Sequence, residues 1–310
     1  MGIDKLLSDI SSFIWGFPLI ILLIGGGIYL ILYSRFIPFK YFFHAIDIVR
    51  GKYDNSNDQG EISHFAALST ALSATVGMGN IAGVSVAISI GGPGAIFWMW
   101  VSGIIGMSTK FFTSSLAIMY RGKDSKGNIQ GGPMYFIVEG LGKKWKPLAI
   151  FFSICGLVGA LPVFNVNQLK QAINDILLIP MGYQVSFQSD FIIGLILIII
   201  TSFVILGGLK RISSVASKLV PFMVLIYMIS VITIIIINIE DLPYYISLIF
   251  YDAFTALNFR GDSVTGGVLG SLIILGIRRG AFSNEAGIGM APMAHGAAKT
   301  NSPIKEGLVA

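Results

Sequence analysis

Charge is scarce in this chain. Of its 310 residues only 12% are Asp, Glu, Lys or Arg, against about 25% in soluble domains. That is too little to cover a water-facing surface, and it excludes a soluble enzyme, a charged disordered chain and a coiled coil. Cysteine is nearly absent. Cys155 stands alone, so neither a disulfide framework nor a cysteine-based metal site is available. The three histidines, His44, His64 and His295, lie far apart without metal-ligand spacing. What remains is apolar: 54% of residues are hydrophobic and the mean hydropathy is +0.79, the profile of a polytopic protein of the lipid bilayer. The net charge of +5 does not point to nucleic acid, because basic cytoplasmic loops produce the same excess.

Seven long apolar segments follow, at 18–34, 65–90, 95–120, 147–178, 191–208, 219–238 and 266–298. A membrane helix needs about 20 such residues. Barrel strands would be about ten residues long with polar alternation, so the segments read as helices. The first is no signal peptide: its flank carries Lys5 against Asp4 and Asp9, and no small-residue cleavage site follows. Alternate loops hold 15 Lys and Arg, including Arg35 and Arg50, Arg121 to Lys146, Lys210 to Lys218, Lys299 and Lys305; the other side holds Lys5 and Arg260. The positive-inside rule therefore predicts an external N-terminus, a cytoplasmic loop at 121–146, an external loop at 179–190 and cytoplasmic residues from 299 onward. Within the cytoplasmic loop, Gly131-Gly132-Pro133 to Gly142 reads either as a short helix at the membrane surface or as an ordinary packed loop.

Two segments share an interruption. Ser73-Ala74-Thr75-Val76-Gly77-Met78-Gly79 and Ser283-Asn284-Glu285-Ala286-Gly287-Ile288-Gly289 both read Ser-x-x-x-Gly-x-Gly, 210 residues apart. By the charge asymmetry the two segments run in opposite directions. Gly-interrupted segments at matching places in two inverted halves point to a transporter site. Unwinding frees carbonyls for a cation, and the new helix N-terminus suits a carboxylate. The rival is close helix packing at small-x-x-x-small positions such as Gly79 and Gly83. Asn80 in one copy, with Asn284 and Glu285 in the other, favours the site. The likeness of Gly77-x-Gly79-x-x-x-Gly83 to a dinucleotide loop is spurious, since no βαβ unit surrounds it.

Ionisable residues inside the segments are Lys110, Lys170, Arg278, Arg279 and Glu285. Glu285 can receive an amino group, carry a coupling proton, or neutralise Arg279; the lysines are expected to snorkel or to pair with carbonyls. Asn165, Asn167, Gln168 and Gln171 put a polar face on the fourth helix, a cavity lining or an interhelical hydrogen-bonding seam.

At this point the residues resemble a family. Gly91-Gly92-Pro93-Gly94-Ala95-Ile96-Phe97-Trp98-Met99-Trp100 and Gly106-Met107-Ser108-Thr109-Lys110-Phe111 are similar to the signature of the sodium:alanine (alanine or glycine:cation) symporters. So are Gly79-Asn80-Ile81-Ala82-Gly83-Val84, Gly131-Gly132-Pro133-Met134-Tyr135, Gly207-Gly208-Leu209-Lys210-Arg211-Ile212, Lys218-Leu219-Val220-Pro221-Phe222 and Arg279-Gly280-Ala281-Phe282-Ser283-Asn284-Glu285-Ala286-Gly287. The resemblance covers nearly the whole chain and is weakest over 1–60 and 250–270. It implies an all-α LeuT-type fold of two inverted five-helix repeats after one extra helix. Residues 1–60 would be the extra helix and a cytoplasmic linker, 61–238 the first repeat, and 239–310 the start of the second. The remaining four helices lie outside the 310 residues, so the chain is expected to be an N-terminal fragment that would not transport by itself.

The resemblance also implies roles. Asn80 and the Thr75 carbonyl would hold one Na⁺ with the Ser283 hydroxyl nearby. The Ser73 and Val76 carbonyls would form half of a second Na⁺ site. Backbone N–H groups around Gly77 and Gly79 would take a substrate carboxylate. Phe282 would be a wall or gate, and Gln168 matches a family glutamine; Thr75, Asn80, Ser283, Asn284 and Gly287 complete the expected substrate surroundings. Two departures stand out. Lys170 breaks the Gln-Ala-Asn that often follows that glutamine, and Met290 replaces a small residue. The expectation is a multi-pass plasma-membrane Na⁺ symporter of a small neutral amino acid, alanine or glycine, with Na⁺ as coupling ion and no cofactor. The alternative is a proton-coupled carrier of the same fold, with Glu285 or a lysine as proton site. An intramembrane enzyme lacks any metal pair or nucleophile–base set, and a channel lacks a charged ring.

Overall fold

The computed structural model describes residues 2–125, 127–255 and 267–310. Lys126 and Arg260, which entered the charge asymmetry, and residue 266 at the head of the seventh segment lie outside the described residues.

Among the described residues the regular elements are helices, apart from one small hairpin and an isolated bridge between Ile62 and Ala298. α1 (Gly2–Ile14) leads through α2 (Phe17–Ile20) and a π-helical turn (Ile21–Gly25) into α3 (Gly26–Tyr33). The short α4 (Ile37–Lys40) and α5 (Phe42–Val49) come next. α6 (His64–Thr75) and α7 (Met78–Gly91) are the halves of one interrupted span, and α8 (Gly94–Met119) follows. The hairpin β1 (Gly122–Lys123) and β2 (Ile129–Gln130) is antiparallel, with Gly122 opposite Gln130. Beyond it are α9 (Pro133–Leu141), α10 (Lys146–Gly159), α11 (Val163–Ile173) with a π-helical turn at Asn174–Leu178, and α12 (Phe187–Ile205). α13 (Gly208–Ile237), α14 (Leu242–Thr255), α15 (Gly267–Asn284), α16 (Ala291–Gly296) and α17 (Pro303–Val309) follow.

Among the described residues five helical stretches, not seven, are long and apolar enough to cross a membrane: Asp4–Tyr33, His64–Gly91, Gly94–Met119, Phe187–Ile205 and Gly208–Ile237. The other two segments break. The fourth, expected over 147–178, parts at 160–162 ahead of the α11 start, where Pro162 removes a backbone donor. The seventh parts at 285–290. Apolarity alone cannot reveal such breaks, because both sides of each remain apolar. The first span also begins earlier than read: it starts at Asp4, with α1 and the turn at Trp15 and Gly16, and the modest charge there had marked a flank. Likewise Lys210, Arg211 and Lys218, counted as loop charges, lie in the first turns of α13. Of the two readings of 131–142, a helix forms, started by Pro133 in its first turn.

Side-chain size is distributed as lipid-facing packing requires. The buried residues are dominated by small ones, among them Ala67, Ala71, Ala95, Ser102, Gly106, Ser108 and Ala281, whereas most Ile, Leu and Phe of α12 and α13 are exposed. Lipid is as apolar as leucine, so helices associate by close backbone approach rather than by hiding bulk. α8 is the central post, touched by α3, α7, α14, α15, α16 and α17. Its N-terminus is capped by Asp252 of α14, which accepts from the Gly94 N–H at 2.7 Å. The crossing of α8 with α15 needs glycine: a Cβ on Gly106 would stand 2.5 Å from the Ala286 Cβ, and one on Gly280 would stand 2.9 Å from the Ser102 Cβ.

Candidate functional site

The first interruption is short. Val76 N–H donates to the Leu72 carbonyl at 2.7 Å, the last bond of α6. Val76 and Gly77 then turn extended, and α7 restarts at Met78. Gly77 has low helical propensity and no side chain to hold it in the helix. The carbonyls of Ser73, Ala74 and Thr75 have thereby lost their partners four residues on. Asn80 claims one of them, its amide donating to the Thr75 carbonyl at 2.7 Å.

The second interruption is longer and more contorted. α15 ends at Asn284, and three of the next five residues are left-handed: Glu285 at φ 51°, Gly287 at φ 88° and Gly289 at φ 92°. Glycine at the last two carries no Cβ penalty; Glu285 has no such relief. Pro292 then starts α16.

The two interruptions touch. The Ser283 hydroxyl donates to Asn80 Oδ1, so the Asn80 amide links the Thr75 carbonyl to α15. Gly79 lies against the same place, where an added Cβ would sit 3.3 Å from the Ser283 Cα and 3.5 Å from the Phe282 ring. Beside this junction opens a cavity of about 570 Å³. Thr75, Val76 and Asn80 line it from the first interruption, Asn284 and Ala286 from the second. Gly103, Gly106 and Lys110 line it from α8, Tyr227 from α13, and Ala310 from the end of α17.

The expected site residues thus divide. Thr75, Val76, Asn80 and Asn284 line the cavity, with Ser283 buried behind Asn80 and Gly77 and Gly79 at the start of α7. Ser73 is exposed on its own helix, its hydroxyl donating to the Thr70 carbonyl at 2.6 Å. Phe282, 46% exposed, stands over Gly79, and Gly287 packs on Leu23 and Thr109. Gln168 sits on α11, outside the residues that line the cavity.

Two charge pairings come out differently from the reading of the sequence. Glu285 makes no ion pair with Arg279 among the described residues. Six helical residues place the two on different flanks, and the left-handed Glu285 turns further away; the charge acting on it is that of Lys110. Its Oε2 is buried with no hydrogen-bond partner among the described residues. Lys170 pairs not with carbonyls but with Asp190 at 2.8 Å, which also accepts from Asn174 at 2.8 Å.

The residues that no sequence pattern announced are His64, His295 and Glu306. Remote in the chain, the two histidines meet on one buried carboxylate. The sequence set Glu306 among the cytoplasmic residues from 299 onward and gave no signal that it would be buried.

Comparison with known proteins is consistent along the whole length. The family model described as "Sodium:alanine symporter family" matches residues 1–310. An uncharacterised transporter of Haemophilus influenzae is 42% identical over 315 residues, covering 100% of the chain. The sodium/alanine symporter AgcS of Methanococcus maripaludis is 40% identical over 312 residues, again covering 100% of it. The amino-acid carrier protein AlsT of Bacillus subtilis is 36% identical over 307 residues, covering 99%. The chain spans 66% of the length of each of the first two relatives and 62% of the third.

Proposed function

Because the chain belongs to the sodium:alanine symporter family, we propose that it carries the cation and substrate site of a Na⁺-coupled importer of a small neutral amino acid, alanine or glycine. The observation that carries this reading is the junction of the two interrupted helices, where Thr75, Asn80 and Ser283 bring a carbonyl, an amide and a hydroxyl together beside a cavity. With Na⁺ among them, the Thr75 carbonyl, Asn80 Oδ1 and Ser283 Oγ supply neutral oxygen ligands of the kind unwound membrane helices offer this ion. The Ser73 and Val76 carbonyls face the same break and would serve a second Na⁺. The substrate carboxylate would take N–H groups at the start of α7, around Gly77 and Gly79, where the helix dipole favours negative charge. The Phe282 ring lies against Gly79 at that end and would serve as its wall. Na⁺ and the zwitterion would each favour the state the other needs, which is the coupling a symporter requires.

This reading sets the protein in the plasma membrane with its N-terminus outside. It treats α6 to α13 as a first repeat of LeuT type, with α15 opening an inverted second. Alternate exposure would come from rocking one bundle against the other.

One observation favours a second reading, coupling to protons. The unpartnered buried Oε2 of Glu285, close enough to Lys110 to feel its charge, suits a carboxyl that gains and loses a proton. Uptake of labelled alanine by the full-length protein in liposomes separates the two. Saturable accumulation that disappears when choline replaces Na⁺ supports the sodium reading. Accumulation that persists in choline and collapses with a protonophore supports the proton reading. No accumulation under either gradient rejects both.

A further inference from the structure

We propose that Glu306, His64 and His295 form a proton-binding latch that fastens the two interrupted helices together at one end of the cavity. The latch is argued from geometry; its use as a gate rests on the transport reading above.

Glu306 is fully buried, at 0% exposure, and so are its two partners. His64 Nδ1 bonds Oε2, and His295 Nδ1 bonds Oε1 at 2.5 Å. Both carboxylate oxygens are therefore served by imidazoles, one from the first residue of α6 and one from α16. These are the half-helices on the same side of the two interruptions. Main chain continues the fastening. Glu61 N–H donates to the Ala297 carbonyl at 2.9 Å, Lys299 N–H to Ile62 at 2.7 Å, and Thr300 N–H to Gln59 at 3.0 Å. Arg121 gathers carbonyls from both sides, donating to Gly296 at 2.9 Å, Thr300 at 2.8 Å and Gln59 at 3.1 Å.

The position matters as much as the bonds. α6 carries the chain from His64 to the cavity-lining Leu72, about 12 Å away at 1.5 Å per residue. α17 carries it from Glu306 to Ala310, which lines the same cavity. Parting α6 from α16 and α17 at the latch therefore opens this end of the cavity.

The choice of histidine makes the fastening adjustable. Imidazole is the side chain that ordinarily changes charge between pH 5 and 8. With Nδ1–H facing the carboxylate, each histidine donates whether neutral or protonated, so the bonds persist while their strength changes. The carboxylate makes each bond charge-assisted in either state, and a proton on the ring adds the attraction of opposite charges to it. Other charges on the surrounding elements are Arg121 after α8, Asp54, Asp58 and Glu61 before α6, Lys305 on α17, Asp47 on α5, Lys110 on α8, and Lys210, Arg211 and Lys218 on α13. Asp54 stands 3.9 Å from His64 Nε2 and adds to the pull on a protonated ring. Asp47 is engaged by Lys52 at 3.0 Å, and Lys305 donates to the Tyr53 carbonyl at 3.2 Å. Burial alone would push the Glu306 carboxyl up, but its bonds to His295 and His64 outweigh that and hold it below the usual range. The carboxylate thus stays charged. The latch is tighter with the rings protonated than with them neutral.

Spin labels at Gln59→Cys and Lys299→Cys, two exposed positions across the fastening, read it directly in a Cys155→Ser background of the full-length protein in nanodiscs. The expected result is one short distance at pH 5.5 and a second, longer population that grows by about tenfold relative to the first by pH 8.5. Glu306→Gln should remove the pH dependence and leave the longer population present throughout. A wild-type ratio that is flat across this range, or that inverts, overturns the latch whether or not the variant folds. The readout needs no substrate. A pH-dependent ratio without Na⁺-driven uptake rejects the transport reading and keeps the latch; Na⁺-driven uptake with a flat ratio does the reverse.

Discussion

The two interrupted helices carry the same seven-residue pattern and use it differently. At the first, Ser73 stays on its helix and bonds Thr70, and the chain breaks over Val76 and Gly77. At the second, the equivalent Ser283 is buried and bonds across to Asn80, and the break runs on through three left-handed residues. The short break leaves carbonyls near the end of α6, while the long one delivers side chains to the junction. A sequence repeat therefore marks where helices can open, and the partner each copy meets decides what the opening presents.

The largest test of this comparison is all-or-none. If the two copies are inverted, the loop ahead of α12 faces outside and the β hairpin faces the cytoplasm. A membrane-impermeant thiol reagent applied outside intact cells should label Gln188→Cys and spare Lys123→Cys, with Cys155 replaced by serine. Labelling in the reverse sense would overturn the orientation, and labelling of both positions would break the inversion.

Next comes Asn80→Leu, which removes the amide from between the two breaks. It leaves the Thr75 carbonyl and the Ser283 hydroxyl without their partner, at about 1–3 kcal/mol for each buried polar group. In full-length protein the Na⁺ needed for half-maximal uptake should rise about five- to hundredfold. An unchanged Na⁺ dependence at normal expression would remove Asn80 from the cation site.

A smaller loss is expected from Gly106→Ala, which asks whether the second break is held in place by close packing on α8. The new methyl would meet Ala286 at 2.5 Å, and overpacking of this kind costs about 1–3 kcal/mol. The melting temperature in detergent should fall by several degrees. No change would mean that the second break gives way freely.

The smallest effect sharpens the contrast between the serines. Ser283→Ala should raise the Na⁺ requirement about fivefold, the value of one hydrogen bond of about 1 kcal/mol. Ser73→Ala loses only a bond to its own helix and leaves its carbonyl in place, so uptake should stay within error. Equal effects would show that the two copies act alike.

Much of this was legible in the chain. Low charge and long apolar runs specified a helical membrane protein, because bilayer and backbone leave few alternatives. Paired glycines located both interruptions, because glycine without a Cβ holds a helix weakly wherever it sits. Asn80 and Ser283 were candidates for one site, and they touch. Other features were not legible for physical reasons. The break at 160–162 lies between two apolar stretches and leaves the hydropathy unchanged. Lys170 finds Asp190 because α11 packs on α12, a fact of helix placement that no local pattern encodes.

The sequence by itself determined the class of protein, the places where helices open and the kinds of atoms exposed there, since these depend on local propensity and on composition. The tertiary structure decided which partners those atoms meet: Ser283 with Asn80, Glu285 beside Lys110 rather than Arg279, and His64 with His295 on Glu306. Those choices lie across separations of up to 242 residues. They are fixed by how closely α8 lets its neighbours approach, so they depend on the packing of the whole bundle.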